Sequence, residues 1–147
     1  MFRGINAITI DGKGRFAVPA RYRDALGPQV VVTIDTEEAC LLLYPAAHWQ
    51  TIEDNLQRLP SFNPAARRIQ RLLIGHATDV ELDGRARVLL PVLLRDYAHL
   101  DKHLVMIGQG NKFEIWDESG WQTRRQAWLD EESAGDGLPD EMKTFFL

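Results

Sequence analysis

The sequence predicts an α+β fold, mainly β with short helices, built from two copies of one small module. The first observation is a motif, Asp11-Gly12-Lys13-Gly14-Arg15, that returns 72 residues later as Asp83-Gly84-Arg85-Ala86-Arg87. The second is that flanking residues repeat at the same spacing: Pro19 and Pro91, Arg23-Asp24 and Arg95-Asp96, and Trp49-Gln50-Thr51 and Trp121-Gln122-Thr123. The third is that short β-prone runs alternate with turn residues.

Each copy predicts the same elements in the same order. An Asp-Gly turn between two β-prone runs indicates a hairpin, and the proline after it ends the strand and opens a short helix. Two further strands follow, and a helix with a tryptophan near its start closes the copy. The predicted strands lie at residues 7–10, 15–18, 30–34 and 40–44 and at 78–82, 87–90, 104–107 and 112–116, and the short helices at 20–26 and 92–98.

The chain divides into a first module (5–58), a connecting helix (59–76), a second module (77–128) and an acidic tail (129–147) that we expect to be loosely held. Modules of this size are marginal alone, so we expect the two to share one barrel-like core with pseudo-two-fold symmetry. The connecting segment predicts an amphipathic helix over 65–74. Its apolar face carries Ile69, Leu72 and Leu73, and its other face carries Arg67, Arg68 and Arg71.

Composition excludes several classes of protein. The single cysteine, Cys40, cannot form an intrachain disulfide, and its apolar neighbours indicate a core residue. No run is apolar enough to span a membrane and none resembles a signal peptide, so we expect a cytoplasmic protein. The net charge of −4 argues against coating nucleic acid by bulk charge. Residues 1–30 nevertheless hold five cations against two acids, whereas 117–147 hold three against eight.

Enzyme and metal chemistry find little support in the sequence. His99 and His103 are four residues apart, but the helix from Pro91 should end near Leu100, and no third ligand is evident. Ser61, Ser119 and Ser133 lie in polar settings without a base at motif spacing, and no phosphate-binding or dinucleotide fingerprint occurs. We therefore expect no catalysis, no cofactor, no metal and no small-molecule substrate.

The tip of the first predicted hairpin carries the residues typical of a DNA contact. Glycine lets the backbone adopt positive φ and approach a partner closely. We therefore assign Gly12 and Gly14, together with the turn residue Asp11 that precedes them, to loop geometry. A two-stranded ribbon fits the major groove, where Arg15 could hold a guanine and Lys13 a base or a phosphate. Asp11 could orient Arg15 by a charge-assisted bond. Taken alone, the pattern equally fits a solvent-exposed hairpin.

Several longer motifs give the chain a resemblance to a known family. They are Met1-Phe2-Arg3-Gly4, Asp11-Gly12-Lys13-Gly14-Arg15, Val18-Pro19-Ala20-Arg21-Tyr22-Arg23, Cys40-Leu41-Leu42-Leu43-Tyr44-Pro45, Arg67-Arg68-Ile69-Gln70-Arg71-Leu72-Leu73-Ile74-Gly75-His76-Ala77 and Asn111-Lys112-Phe113-Glu114-Ile115-Trp116-Asp117. Together they resemble the MraZ family, regulators associated with the bacterial division and cell-wall gene cluster, over at least residues 1–121.

The resemblance implies a fold and a function. It implies two tandem AbrB-like swapped-hairpin modules forming one double-ψ-like β-barrel unit. It also implies a ring-like homo-oligomer, an octamer or larger, that binds short direct repeats in double-stranded promoter DNA at the nucleoid. The DNA-contacting role is carried onto Lys13 and Arg15, with Arg85, Arg87 and the N-terminal Arg3 as further candidates.

One position departs from the family pattern. Ala86 stands in the second tip, beside Asp83 and Gly84, where the pattern has glycine. If that position needs positive φ, alanine costs about 1 kcal/mol or shifts the turn, which weakens the case for Arg85 and Arg87. The alternative function is an AbrB-type, antitoxin-like module that binds a protein partner.

Overall fold

The α+β class is confirmed in the structure, a computed structural model that describes residues 1–135, 137–143 and 145. The strands are β1 (Phe2–Thr9), β2 (Arg15–Ala17), β3 (Gln29–Ile34), β4 (Leu41–Pro45), β5 (Thr78–Glu81), β6 (Arg87–Leu89), β7 (His103–Gly110) and β8 (Phe113–Asp117). The helices are α1 (Arg23–Leu26), α2 (Ala46–Gln57), α3 (Pro64–His76), α4 (Val92–Tyr97), α5 (Glu118–Ser133) and α6 (Asp140–Lys143), and a 3₁₀ turn covers Ala20–Tyr22.

The two repeats exchange strands. Six antiparallel strands form one sheet in the order β1-β7-β8-β4-β3-β5, and β2 pairs with β6 in a separate two-stranded ribbon. Strand β1 of the first repeat therefore extends the sheet of the second, and β5 of the second extends that of the first. If each strand is replaced by its equivalent in the other repeat, the strand order reads the same in reverse. A pseudo-two-fold axis therefore passes between β4 and β8. Closure of these strands into a barrel stays a prediction.

The main core lies between the inner face of the sheet and the ribbon, and both repeats contribute to it. Phe16 of β2 and Val88 of β6 point into it, together with Leu43 of β4 and Ile115 of β8. In a second, smaller cluster on the other face of the sheet, Tyr44 of β4 packs against Trp49 of α2. Since the main core is shared, burial in each repeat depends on the other.

Two paired strands, β1 and β7, are longer than the sequence predicts. Strand β1 was expected at residues 7–10 but runs from Phe2 to Thr9, because it pairs with β7 over its whole length. The two backbones approach closely where Gly4 faces Gly108, and a Cβ added at Gly108 would lie 2.3 Å from the Arg3 nitrogen. The β7 strand likewise extends to Gly110, three residues beyond the predicted end.

The helices differ from the sequence predictions in detail. The segment predicted as one helix over 20–26 is a 3₁₀ turn followed by α1. The amphipathic helix predicted over 65–74 is confirmed as α3, which begins at Pro64, where the Asn63 side chain accepts hydrogen bonds from Ala65 N and Ala66 N. The tail predicted from residue 129 begins later, because α5 continues to Ser133. Residues 136, 144, 146 and 147 of that tail lie outside the described residues. In the described part, no helix is both long and apolar enough to cross a bilayer.

Candidate nucleic-acid interface

The first hairpin tip is organised by one carboxylate. Asp11 Oδ1 accepts hydrogen bonds from the backbone nitrogens of Lys13 at 3.0 Å and Arg15 at 2.9 Å. Its Oδ2 accepts from Arg15 Nε at 2.8 Å, which confirms the expected charge-assisted bond. Among the described residues only Nε of this guanidinium is engaged, so its two terminal nitrogens stay available to bind a partner.

The second tip repeats this arrangement. Asp83 Oδ1 accepts from Arg85 N at 2.9 Å and from Arg87 N at 3.0 Å, and its Oδ2 accepts from Arg87 Nε at 2.7 Å. In both tips these bonds hold the pKa of the aspartate below its ordinary value, above all the bond from the arginine backbone nitrogen, and partial desolvation opposes them. Both carboxylates are therefore ionised near neutral pH, and each keeps its arginine clamped.

The glycines of the tips are not equivalent. Gly14 has a φ of +88°, whereas a Cβ added at Gly12 or Gly84 would meet no atom within 4 Å, and neither has a positive φ. Of the two roles expected of tip glycines, positive φ therefore applies to Gly14, and close approach to a partner stays a prediction for Gly12 and Gly84. Ala86 stands at the position equivalent to Gly14 and has a φ of +55°. The second tip keeps the same turn at the conformational cost expected for alanine, instead of shifting it.

The ribbon displays the two clamped arginines on one face. Arg15 lies opposite Leu89, and Ala17 lies opposite Arg87, with Phe16 and Val88 between them. Because side chains alternate along a strand and Phe16 and Val88 are buried, the other four residues share the outer face. Arg15 and Arg87 are diagonal neighbours there, which places the two residues ~7–8 Å apart.

Each tip is fixed by the other repeat. Leu90 N donates to the Gly14 carbonyl at 2.8 Å, and in the symmetric contact Val18 N donates to the Ala86 carbonyl at 3.0 Å. Arg95 Nε donates to the Leu90 carbonyl at 3.0 Å and borders Gly14.

Arg23 makes the matching bond to Val18 O, at 2.9 Å. Sequence reasoning assigned no role to Arg23 and Arg95, although their repetition 72 residues apart was the available signal.

The remaining candidate cations are placed differently. Lys13 and Arg85 lie at the exposed ends of the two tips, and within the described chain their side chains make no ion pair. Arg3 is exposed on β1 but is six residues from Thr9, the end of the strand nearest the tip. At about 3.3 Å per residue, ~20 Å of strand separates the two. The structure therefore sets Arg15 and Arg87 side by side, places Lys13 and Arg85 beyond opposite ends of the ribbon, and leaves Arg3 away from the first tip.

Other reactive groups lie away from this face. Cys40 is buried with its Sγ 3.7 Å from Asp35 Oδ2, and burial together with nearby carboxylates raises the pKa of the thiol far above its ordinary value. Ligand atoms of Asp35, Cys40 and Glu114 lie within 4.8 Å of one another, but the thiol is protonated. Helix α4 ends at Tyr97, so His99 and His103 do not share a helix face.

Comparison with known proteins agrees with the repeat. The MraZ protein family, whose description includes the words "antitoxin-like", matches residues 1–72 and again residues 73–136. A protein of Legionella pneumophila (strain Corby) named "Transcriptional regulator MraZ" is 70% identical over 152 aligned positions that cover all of both chains. Proteins of the same name from Coxiella burnetii (strain Dugway 5J108-111) and Alkalilimnicola ehrlichii are each 54% identical over the full length of both chains. The chain belongs to the MraZ family.

Proposed function

We propose that the chain is a transcriptional regulator that binds double-stranded promoter DNA through the outer face of the β2–β6 ribbon. The observation that carries this is the pair of aspartate-clamped arginines, Arg15 and Arg87, displayed side by side on an exposed ribbon. The names of the similar proteins from Legionella pneumophila and Coxiella burnetii support the regulatory role.

The ribbon suits the major groove in size and chemistry. Two strands about 4.8 Å apart enter a groove about 12 Å wide, and a guanidinium with two free terminal nitrogens bonds O6 and N7 of one guanine. Arg15 and Arg87 at ~7–8 Å span two to three base-pair steps. Lys13 and Arg85, at the tips, are placed to hold phosphates, and Arg3 contacts at most a flanking phosphate. No enzymatic activity is part of this proposal.

One ribbon covers too few base pairs for a specific site, so the proposal includes assembly. A ring-like homo-oligomer presents the same tips repeatedly, and linked contacts raise affinity through effective concentration. Rotational symmetry favours short direct repeats about one helical turn apart. Resemblance to the family supports promoters of the division and cell-wall cluster as the targets, and it also supports a cytoplasmic, nucleoid-associated location.

The decisive experiment substitutes the clamped arginine and measures affinity for labelled promoter DNA. Arg15→Ala should abolish sequence-specific binding, because each bidentate guanine contact contributes about 1–3 kcal/mol and the loss recurs in every subunit. Lys13→Ala should weaken specific and non-specific DNA alike and reduce the salt dependence of binding.

Arg125→Ala, at an exposed position of α5, is the matched control and should bind as the wild type does. Unchanged affinity of a folded Arg15→Ala variant would refute the proposed interface and favour a protein partner instead.

A further inference from the structure

A large apolar side chain lies on the outer face of the β2–β6 ribbon. Leu89 of β6 is directly opposite Arg15 in the ribbon and is 52% exposed. It also follows Arg87 by two residues on its own strand, so it shares the outer face with that arginine. Leu89 therefore has both clamped arginines as neighbours on the surface that the proposed function presents to DNA.

The fold does not require a leucine at this position. Phe16 and Val88 fill the core beneath the ribbon, and both are almost completely buried. The residue equivalent to Leu89 in the first repeat is the exposed Ala17, so the same strand pairing forms with a short side chain there. A single exposed leucine is ordinary on a protein surface, but this one is flanked by two arginines that are placed to contact bases. A base edge is therefore what covers it in a complex with DNA.

We propose that Leu89 packs on the methyl group of a thymine close to the guanine that Arg15 holds. This inference rests on the proposed function and names part of the base sequence that the ribbon reads. The C5-methyl of thymine lies on the major-groove edge, where an apolar side chain can bury it. Directly opposite residues of antiparallel strands are ~4.5–5.5 Å apart, and successive base pairs are ~3.4 Å apart. The thymine is therefore one or two base pairs from the guanine.

The contact also gives the ribbon a direction. If both repeats carried the same residue here, a two-fold rotation would leave the outer face unchanged, and the ribbon would read a palindrome. Ala17, which lies opposite Arg87, is too short to bury a methyl group to the same extent. The guanine of Arg15 then has a thymine contact beside it that the guanine of Arg87 lacks. A face of this kind distinguishes the two directions of a site, as short direct repeats require.

Removing the methyl group from the DNA or its partner from the protein tests the contact. Selection of the full chain's preferred sites from a randomised duplex should enrich guanine with a thymine one or two base pairs away. Replacing that thymine by deoxyuridine in the selected duplex removes only the methyl, and it should weaken wild-type binding about fourfold per contact, as expected for one buried methyl group. Leu89→Ala should bind both duplexes equally and should still select the guanine.

The first repeat and an unrelated leucine supply matched variants. Ala17→Leu should add a thymine preference beside the guanine of Arg87 and, combined with Leu89→Ala, should move the preferred thymine to that side. Leu59→Ala removes an exposed leucine in the loop after α2 and should keep the fourfold difference between the duplexes.

The Leu89 contact and the proposed interface fail in different ways. Selected sites without the thymine, or wild-type protein that binds both duplexes equally, would overturn the contact while Arg15→Ala still abolishes binding. A Leu89→Ala variant that keeps the full difference between the duplexes would overturn it as well. Unchanged DNA affinity of Arg15→Ala would refute the interface itself, and the Leu89 contact with it.

Discussion

The two tips offer a matched pair of substitutions that should change stability in opposite directions. Gly14 and Ala86 occupy equivalent positions with φ of +88° and +55°. An L-residue in the left-handed region costs about 1–2 kcal/mol, whereas glycine loses about 0.5–1 kcal/mol more backbone entropy on folding. Ala86→Gly should therefore raise the free energy of unfolding by about 0.5–1 kcal/mol.

The reverse change should cost considerably more than the conformational difference alone. A Cβ at Gly14 would lie 2.8 Å from Arg95 Nε and 3.0 Å from the Leu90 carbonyl oxygen. Arg95 cannot swing aside freely, because its Nε is bonded to that same carbonyl at 3.0 Å. Overpacking of this kind costs about 1–3 kcal/mol, so we expect Gly14→Ala to destabilise the protein by about 2–4 kcal/mol in total.

Urea unfolding at one fixed protein concentration measures both changes, since assembly would otherwise alter the apparent stability. The denaturant slope should stay constant while the midpoints move apart. A neutral Gly14→Ala, or an Ala86→Gly that destabilises, would show that the tips do not have the conformations described here.

Three further outcomes follow from the fold and the proposed assembly. Residues 1–58 expressed alone should give an unstable or self-associating product, because β3 would lose β5, and a stable soluble monomer would contradict the strand exchange. Glu114→Gln should raise the melting temperature near pH 7 but not near pH 4. Burial raises the pKa of this carboxyl, so its protonated form is favoured in the folded state and stability falls as pH rises through that pKa; an equal gain at both pH values would argue against this. Inserting about five base pairs between operator repeats should reduce affinity by more than tenfold, since successive tips must reach the same face of the duplex, and binding that ignores the insertion would exclude the multivalent arrangement.

The repeat predicted the succession of strands along the chain, and residue type and spacing predicted the Asp–Arg clamp, because both depend on local sequence. Asp11 reaches Arg15 within one turn, so residue type and spacing suffice. The length of β1 was not predictable in this way, because its hydrogen-bond partners in β7 lie about a hundred residues later in the chain. The bond from Arg95 to the Leu90 carbonyl joins residues close in sequence. The position of Arg95 beside Gly14, however, depends on how the two repeats pack together, which local sequence does not reveal.

The end of α5 was missed for a similar reason. Its last turns contain three acids, which is typical of a solvated tail. Earlier in the helix, however, Trp121 and Trp128 stack against Trp116, and the Arg124 guanidinium lies over the Trp128 ring while it pairs with Glu38 at 2.8 Å. These contacts anchor the helix up to Trp128, and the helix then continues for one more turn to Ser133.

Strand exchange constrains the interior of the two repeats more strongly than their surfaces. Phe16 and Val88 face each other in one shared core, so both positions must stay apolar. On the outer face the equivalent pair has diverged to Ala17 and Leu89. The shared core therefore holds the inner face of the ribbon apolar in both repeats, whereas the exposed outer face is free to differ between them.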